Sequence, residues 1–219
     1  MKVFISAGHG GSDPGAVANG VKEKDLNLSI TKACSDELKS HGVEVKMSRT
    51  KDENDPLSEE IRECNTFSPD LAVSIHNNAG GGDGAEVFHS HLGGNGKTLA
   101  ENILSEIVKV GQNSRGAKVR KNSNGKDYYG FIRETVCPAV IVECAFVDNA
   151  SDLKILATES DRQKVGRAIA KGVLKTLGVE VQGEKRYKVQ VGCYLYRENA
   201  EAMEKKIKAV GFDAFIVKE

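Results

Sequence analysis

This 219-residue sequence predicts an α/β fold, a mostly parallel mixed sheet flanked by helices on both faces and followed by a small β-α-β C-terminal unit. Three observations carry that expectation. Short Val- and Ile-rich runs bounded by glycine or polar residues recur through the first 178 positions, the pattern of strands covered on both faces. Segments with apolar residues four apart separate them, each giving the single stripe of a helix packed on a sheet. After Gly178 the composition turns polar and a new pattern starts, which marks a boundary.

Residues 3–6 form the first strand, running into the glycine turn around His9. A helix over residues 25–40 follows, with Leu26, Ile30, Cys34 and Leu38 on one stripe and His41-Gly42 as its stop. A strand at 43–47 leads to a second helix that begins near Asp55-Pro56, where proline suits the first turn, and ends before Pro69. Strands at 71–75 and 85–88 come next, then a helix marked by Leu99, Ile103, Ile107 and Val110. A strand at 139–142 and a helix through Val165, Ile169, Val173 and Leu177 complete a domain of residues 1–178. Residues 179–185 read as a linker. In 186–219, Val189, Val191, Cys193 and Leu195 alternate as a strand, Met203, Ile207 and Val210 keep helical spacing behind an Asn199 cap, and 214–217 make a final strand.

Composition removes several function classes. Lysine plus arginine equals aspartate plus glutamate, at 31 each, so no bulk charge draws the chain toward nucleic acid. No apolar run approaches the ~20 residues that a membrane span needs. The first residues read as a strand rather than a signal peptide, so the expectation is synthesis in the cytoplasm. Five cysteines, odd in number and without a Cys-x-x-Cys pair, fit reduced thiols better than a disulfide framework.

Three of the predicted strands end in a residue that can bind metal or move protons: His9, His76 and Glu143. Ligand sites of open α/β sheets lie at the carboxyl ends of strands, so these side chains can converge across the sequence. Glu23 joins them, because it precedes the helix at 25–40, which starts on that same edge. Two imidazoles and a carboxylate with a fourth position left for water make a catalytic zinc site rather than a structural one. Each residue alone has a plainer reading, a hydrogen-bonded loop histidine or a glutamate favoured at a helix start. His89-Ser-His91 is a competing pair without an evident acidic third ligand. Arg133 offers a fork that suits a carboxylate, or a surface salt bridge.

The order Gly8-His9-Gly-Gly-Ser-Asp-Pro-Gly-Ala, Glu23-Lys-Asp-Leu-Asn-Leu, Pro69-Asp-Leu-Ala-Val-Ser-Ile-His76-Asn-Asn-Ala and Pro138-Ala-Val-Ile-Val-Glu143-Cys-Ala-Phe resembles the zinc N-acetylmuramoyl-L-alanine amidases of the type-3 family. The resemblance covers about residues 1–178. It implies zinc on His9, Glu23 and His76, with Glu143 as catalytic carboxylate. The substrate it implies is peptidoglycan, cut at the amide between N-acetylmuramic acid and L-alanine, as in an endolysin. Asn77 stands where alanine is commoner in that family, and Asn77 and Arg133 are expected at the substrate. Without a signal peptide, such a protein reaches the wall after release as a phage or prophage lysin, or by an unusual export route. Two rivals stay open: a zinc peptidase acting within the stem peptide, and a non-catalytic wall-binding protein.

Tyr187-Lys-Val-Gln-Val-Gly-Cys-Tyr, Glu198-Asn-Ala-Glu-Ala-Met and Gly211-Phe-Asp-Ala-Phe-Ile-Val resemble the first half of a SPOR domain. The resemblance implies binding to peptidoglycan, in particular to glycan strands stripped of peptides. The family module repeats β-α-β twice and this segment holds one copy. A unit this small buries too little surface to stand alone, which leads to the expectation of a homodimer through residues 186–219.

Overall fold

The computed structural model describes residues 1–180, 191–211 and 214–217. The chain divides into two compact units, Met1–Val181 and Gln182–Glu219.

In the first unit the elements run β1 (Lys2–Ala7), β2 (Val17–Ala18), β3 (Val21–Lys22), α1 (Glu23–Ser40), β4 (Glu44–Met47), α2 (Leu57–Phe67), β5 (Leu71–Asn78) and β6 (Ala85–His89). They continue with α3 (Asn95–Lys109), β7 (Ser114–Lys118), α4 (Gly130–Glu134), β8 (Ala139–Phe146), a 3-10 turn (Asp152–Leu156) and α5 (Glu159–Thr176). Six strands form one sheet in the order β4-β1-β5-β8-β6-β7. All neighbours are parallel except β6 and β8, which gives the expected mixed sheet. The four strands predicted as a parallel set are there, and β8 runs on to Phe146 because Cys144-Ala145-Phe146 prolongs its apolar run.

Side chains alternate across a strand, and the two faces of this sheet are covered unequally. Val3 and Ile5 of β1, Val73 and Ile75 of β5, and Val140 and Val142 of β8 pack with Leu26, Ile30, Ile103, Ile169 and Leu174 from α1, α3 and α5. The opposite face offers Phe4, Ala72, Ala139 and Ile141 to a smaller cluster with Cys64 of α2 and with Phe131 and Ile132 of α4. On that thinner side the rows change character along the sheet: Phe4 gives way to Ser6, Ala72 to Ser74 and His76, and Ile141 to Glu143. That polar row ends at His76 and Glu143, both half-buried at the carboxyl edge of the central strands.

Some features had no clear sequence signal. The edge strand β7 reads Ser-Arg-Gly-Ala-Lys, a polar run without alternation, and the five-residue α4 is too short for a periodic stripe. Helix α1 begins at Glu23, two residues earlier than periodicity predicts. Two acidic residues in its first turn, Glu23 and Asp25, favour that start at the positive end of the helix dipole.

The second unit holds α6 (Arg197–Ala209), with none of its residues buried. Its N-cap is Tyr196 rather than the predicted Asn199, which sits inside the first turn. Residues 191–196 and 214–217 carry no strand, a correction to the β-α-β expectation, while residues 181–190, with the start of the first predicted strand, lie outside the described residues. A strand needs a hydrogen-bonding neighbour, and the described residues of this unit provide none.

Candidate metal centre

His9, Glu23 and His76 converge at the carboxyl edge of the sheet, with one potential ligand atom from each lying within 4.8 Å of the others. His76 sits near the end of β5, directly beside Glu143 on β8, and the register slips just beyond them. Glu23 is the first residue of α1 and only 4% exposed. Its Oε1 accepts from the Asn77 backbone at 3.1 Å and lies 3.0 Å from His76 Nδ1; Oε2 accepts from the Ala16 backbone at 2.9 Å and lies 3.2 Å from His9 Nε2. His9 leaves the strand with φ 62°, a left-handed conformation uncommon for a histidine. Asp13 Oδ2, 2.7 Å from His9 Nδ1, fixes the ring so that Nε2 faces Glu23. The turn also requires Gly8 and Gly15: a Cβ on Gly8 would overlap the His76 ring, and one on Gly15 would meet Glu23 Oε2 at 2.6 Å.

Residues outside the predicted set brace this arrangement. Asn27, one helical turn after Glu23, donates to Gly8 O at 2.9 Å and Glu23 Oε1 at 3.2 Å. Arg49, 2% exposed, donates to the carbonyls of Ala7 (2.8 Å), Gly8 (3.3 Å) and Lys24 (2.8 Å). It therefore ties the His9 turn to the first turn of α1. Asp52 and Asn54 accept from the backbone of Gly11 and Ser12. Asn27 stands one turn from Glu23 on the same helix, a signal spacing alone could have given; Arg49 follows a strand with no local sign of its carbonyl partners.

Charge on the centre follows from this packing. The Glu23 hydrogen bond raises the His9 imidazole to about 9, against the opposing effect of burial and with help from Asp13. Burial disfavours charge on His76, but hydrogen bonding to Glu23 and the charge of Glu143 leave it raised. Burial would also raise Glu23, yet the two imidazoles hold it well below the usual carboxylate range. Burial pushes the Glu143 carboxyl up to about 7, with the charges of Glu23 and Glu86 adding to the rise and His76 opposing it. Its Oε2 is buried without a hydrogen-bond partner. The centre favours positive charge between its carboxylates, and two imidazoles plus one carboxylate are a donor set suited to zinc.

The remaining candidates behave differently. The Asn77 side chain is buried and donates to Asn27 Oδ1 at 2.8 Å, which links it to Glu23 through Asn27. Arg133 donates to the carbonyls of Asp127 and Tyr128 at 2.8 and 2.9 Å and to Glu134, which commits its fork to the turn before α4. His89 bonds to Ser90 O, and His91 to Asp127 Oδ1 at 2.9 Å. That acidic partner lies 36 residues away, out of reach of local reading.

This sheet edge gathers two imidazoles and a bridging carboxylate that could hold a metal ion, beside a half-buried carboxyl with an orphaned oxygen. The chain belongs to the N-acetylmuramoyl-L-alanine amidase family, whose sequence profile matches residues 3–175. It is 34% identical over 222 aligned residues to the N-acetylmuramoyl-L-alanine amidase CwlM of Bacillus licheniformis, covering 99% of this chain and 85% of that protein. Among solved structures, Cwp6 from Clostridium difficile superposes with a TM-score of 0.79 at 39% identity, over 80% of this chain and 29% of that one. The catalytic domain of CwlV, an N-acetylmuramoyl-L-alanine amidase from Bacillus (Paenibacillus) polymyxa, gives 0.73 at 28% identity, over 82% of this chain and 99% of that domain.

Proposed function

We propose that this chain hydrolyses the amide between N-acetylmuramic acid and L-alanine in peptidoglycan, with zinc held by His9, Glu23 and His76 and with Glu143 moving the proton. Membership of the amidase family supports the bond. The observation that carries the mechanism is the buried, unpartnered Oε2 of Glu143, on the strand position beside His76.

Zinc, when bound, supplies a Lewis acid that polarises the amide carbonyl and acidifies a water. Glu143 in its carboxylate form takes a proton from the attacking water, and burial near the ordinary working pH equips it to hold that proton. It then returns the proton to the leaving nitrogen of L-alanine. Asp13 and Glu23 keep the His9 ring oriented, and Arg49 and Asn27 keep the turn beneath it from shifting.

Digestion of purified peptidoglycan tests this reading. New N-terminal alanine without new reducing ends, abolished by a chelator and restored by zinc, is the expected result. Release of any other amine would move the assignment to a stem peptidase. The second unit is proposed to pair with another copy of itself. Leu195, Tyr196, Val210 and Phe215 are more than half exposed, and α6 buries no residue. Light scattering of the full chain should give a dimer that Leu195→Asp dissociates; a monomeric mass at micromolar concentration would end this proposal.

A further inference from the structure

The thinner face of the sheet holds a pair of thiols that the metal centre does not use. All five cysteines are free. Cys34 and Cys144 lie in the larger core, where burial pushes both thiols well up and leaves them inert. Cys193 is exposed in the second unit. Cys64 and Cys137 behave differently, because they meet. Cys64 is fully buried on α2, Cys137 is partly open to solvent just before β8, and both pack in the cluster around Phe4 and Phe131. The Cys64 thiol donates a hydrogen bond to Cys137 Sγ, which raises the donor and lowers the acceptor from the ordinary thiol value.

The backbone on both sides of this contact is held. Asn65, the residue after Cys64, donates from Nδ2 to Glu134 O at 2.9 Å, and its Oδ1 accepts from the Val136 backbone at 2.9 Å. The neighbour of one cysteine therefore grips the neighbour of the other. Beyond them, Cys64 O accepts from the Ser68 backbone at 3.0 Å, and Pro138 O accepts from Ala72 of β5 at 3.0 Å. A disulfide forms without a backbone shift only between sulfurs that already face each other, and sulfurs sharing a hydrogen bond between anchored flanks do so.

We infer that Cys64 and Cys137 are a modification site, which a small-molecule disulfide such as oxidised glutathione closes into an intrachain disulfide strapping α2 to the segment that enters β8. Cys137 is the attacking sulfur, since solvent reaches it and the Cys64 hydrogen bond favours its thiolate. The thiolate attacks one sulfur of oxidised glutathione and expels a glutathione thiolate, which leaves a mixed disulfide on Cys137. Cys64 loses its proton and attacks Cys137 Sγ, expelling the second glutathione. Two protein thiols are oxidised, one glutathione disulfide is reduced, and the two protons end on the two glutathiones. The loop so closed carries β5, β6, α3, β7 and α4, a long stretch whose unfolded freedom the bond restricts.

The test uses the full chain carrying Cys193→Ser, which removes crosslinks between second units and leaves four thiols. After incubation of the folded protein with oxidised glutathione, thiol titration in denaturant should find two, and a non-reducing digest should yield one peptide joining positions 64 and 137. The thermal midpoint should rise by about 10 °C and return on adding dithiothreitol. With Cys64→Ala in addition, glutathione should stay on Cys137; with Cys137→Ser instead, Cys64 should remain unmodified. Four thiols still titrating, a crosslink between other cysteines, or glutathione retained on Cys137 while Cys64 stays free overturns the inference. A joined pair with an unraised midpoint overturns its action as a strap. Each of these readings is made on the protein with both cysteines in place, so none depends on the folding of the Cys64 or Cys137 variants.

Discussion

Glu60 is a carboxyl under strain from its surroundings, and Glu60→Gln should stabilise the protein at alkaline pH. The side chain sits on α2, 5% exposed and in reach of the Ser6 hydroxyl. Burial and the nearby charge of Asp55 push its pKa up to about 7 from an ordinary value of 4.5. A group raised on folding contributes stability below its unfolded value, and that contribution is lost as pH rises through the folded value. Here the window is pH 4.5 to 7. A rise of that size is worth about 3 kcal/mol once both states are ionised, at 1.36 kcal/mol per unit. Urea unfolding of both proteins in the presence of chelator, at pH 5 and pH 8, isolates the term, because every other titration is shared. The gain from Glu60→Gln should be larger at pH 8 than at pH 5 by about 2 kcal/mol. An equal gain at the two pH values, or a loss at pH 8, would refute the reasoning and mean that Glu60 stays charged and solvated in the native state.

Glu143→Gln should retain zinc by metal analysis while kcat falls about a thousandfold, the scale of a lost general base; zinc lost along with activity would count against the proton-transfer role. Gly8→Ala should weaken zinc binding strongly, because the added methyl occupies the place of the His76 ring; unchanged affinity in a metal titration would contradict the packing. Arg49→Ala should lower unfolding free energy by about 3 kcal/mol, since it takes the guanidinium donors from the carbonyls of Ala7 and Lys24 and leaves Gly8 O to Asn27 alone. Chemical denaturation measures it, and a change below about 1 kcal/mol would show that water replaces the guanidinium.

How much of this was legible in the sequence depends on the range of the interaction. The central strands announce themselves by apolar runs that need no partner to be recognised, and His9, His76 and Glu143 were legible because each closes such a run. Glu23 was placed just ahead of its helix and proves to begin it. What stayed hidden depends on partners distant along the chain. Arg49 acts on carbonyls 25 to 42 residues away, and Asp127 reaches back 36 residues to His91. Arg133 looked like the free fork, yet the carbonyls of its own turn claim it. Single alternating segments in the second unit could not reveal whether a neighbouring strand exists to pair with them.

The hooks from Asp52 and Asn54 to Gly11 and Ser12, with Lys24 Nζ donating to Gly11 O at 2.8 Å and to Asp52 Oδ2 at 2.7 Å, join three stretches of chain at one knot. The His9 turn therefore cannot open by itself. Amide exchange in residues 8–13 should track exchange in 51–54 as a single opening event, and a nick or insertion in the 51–54 segment should weaken the proposed zinc site from a distance, with His9, Glu23 and His76 all still present.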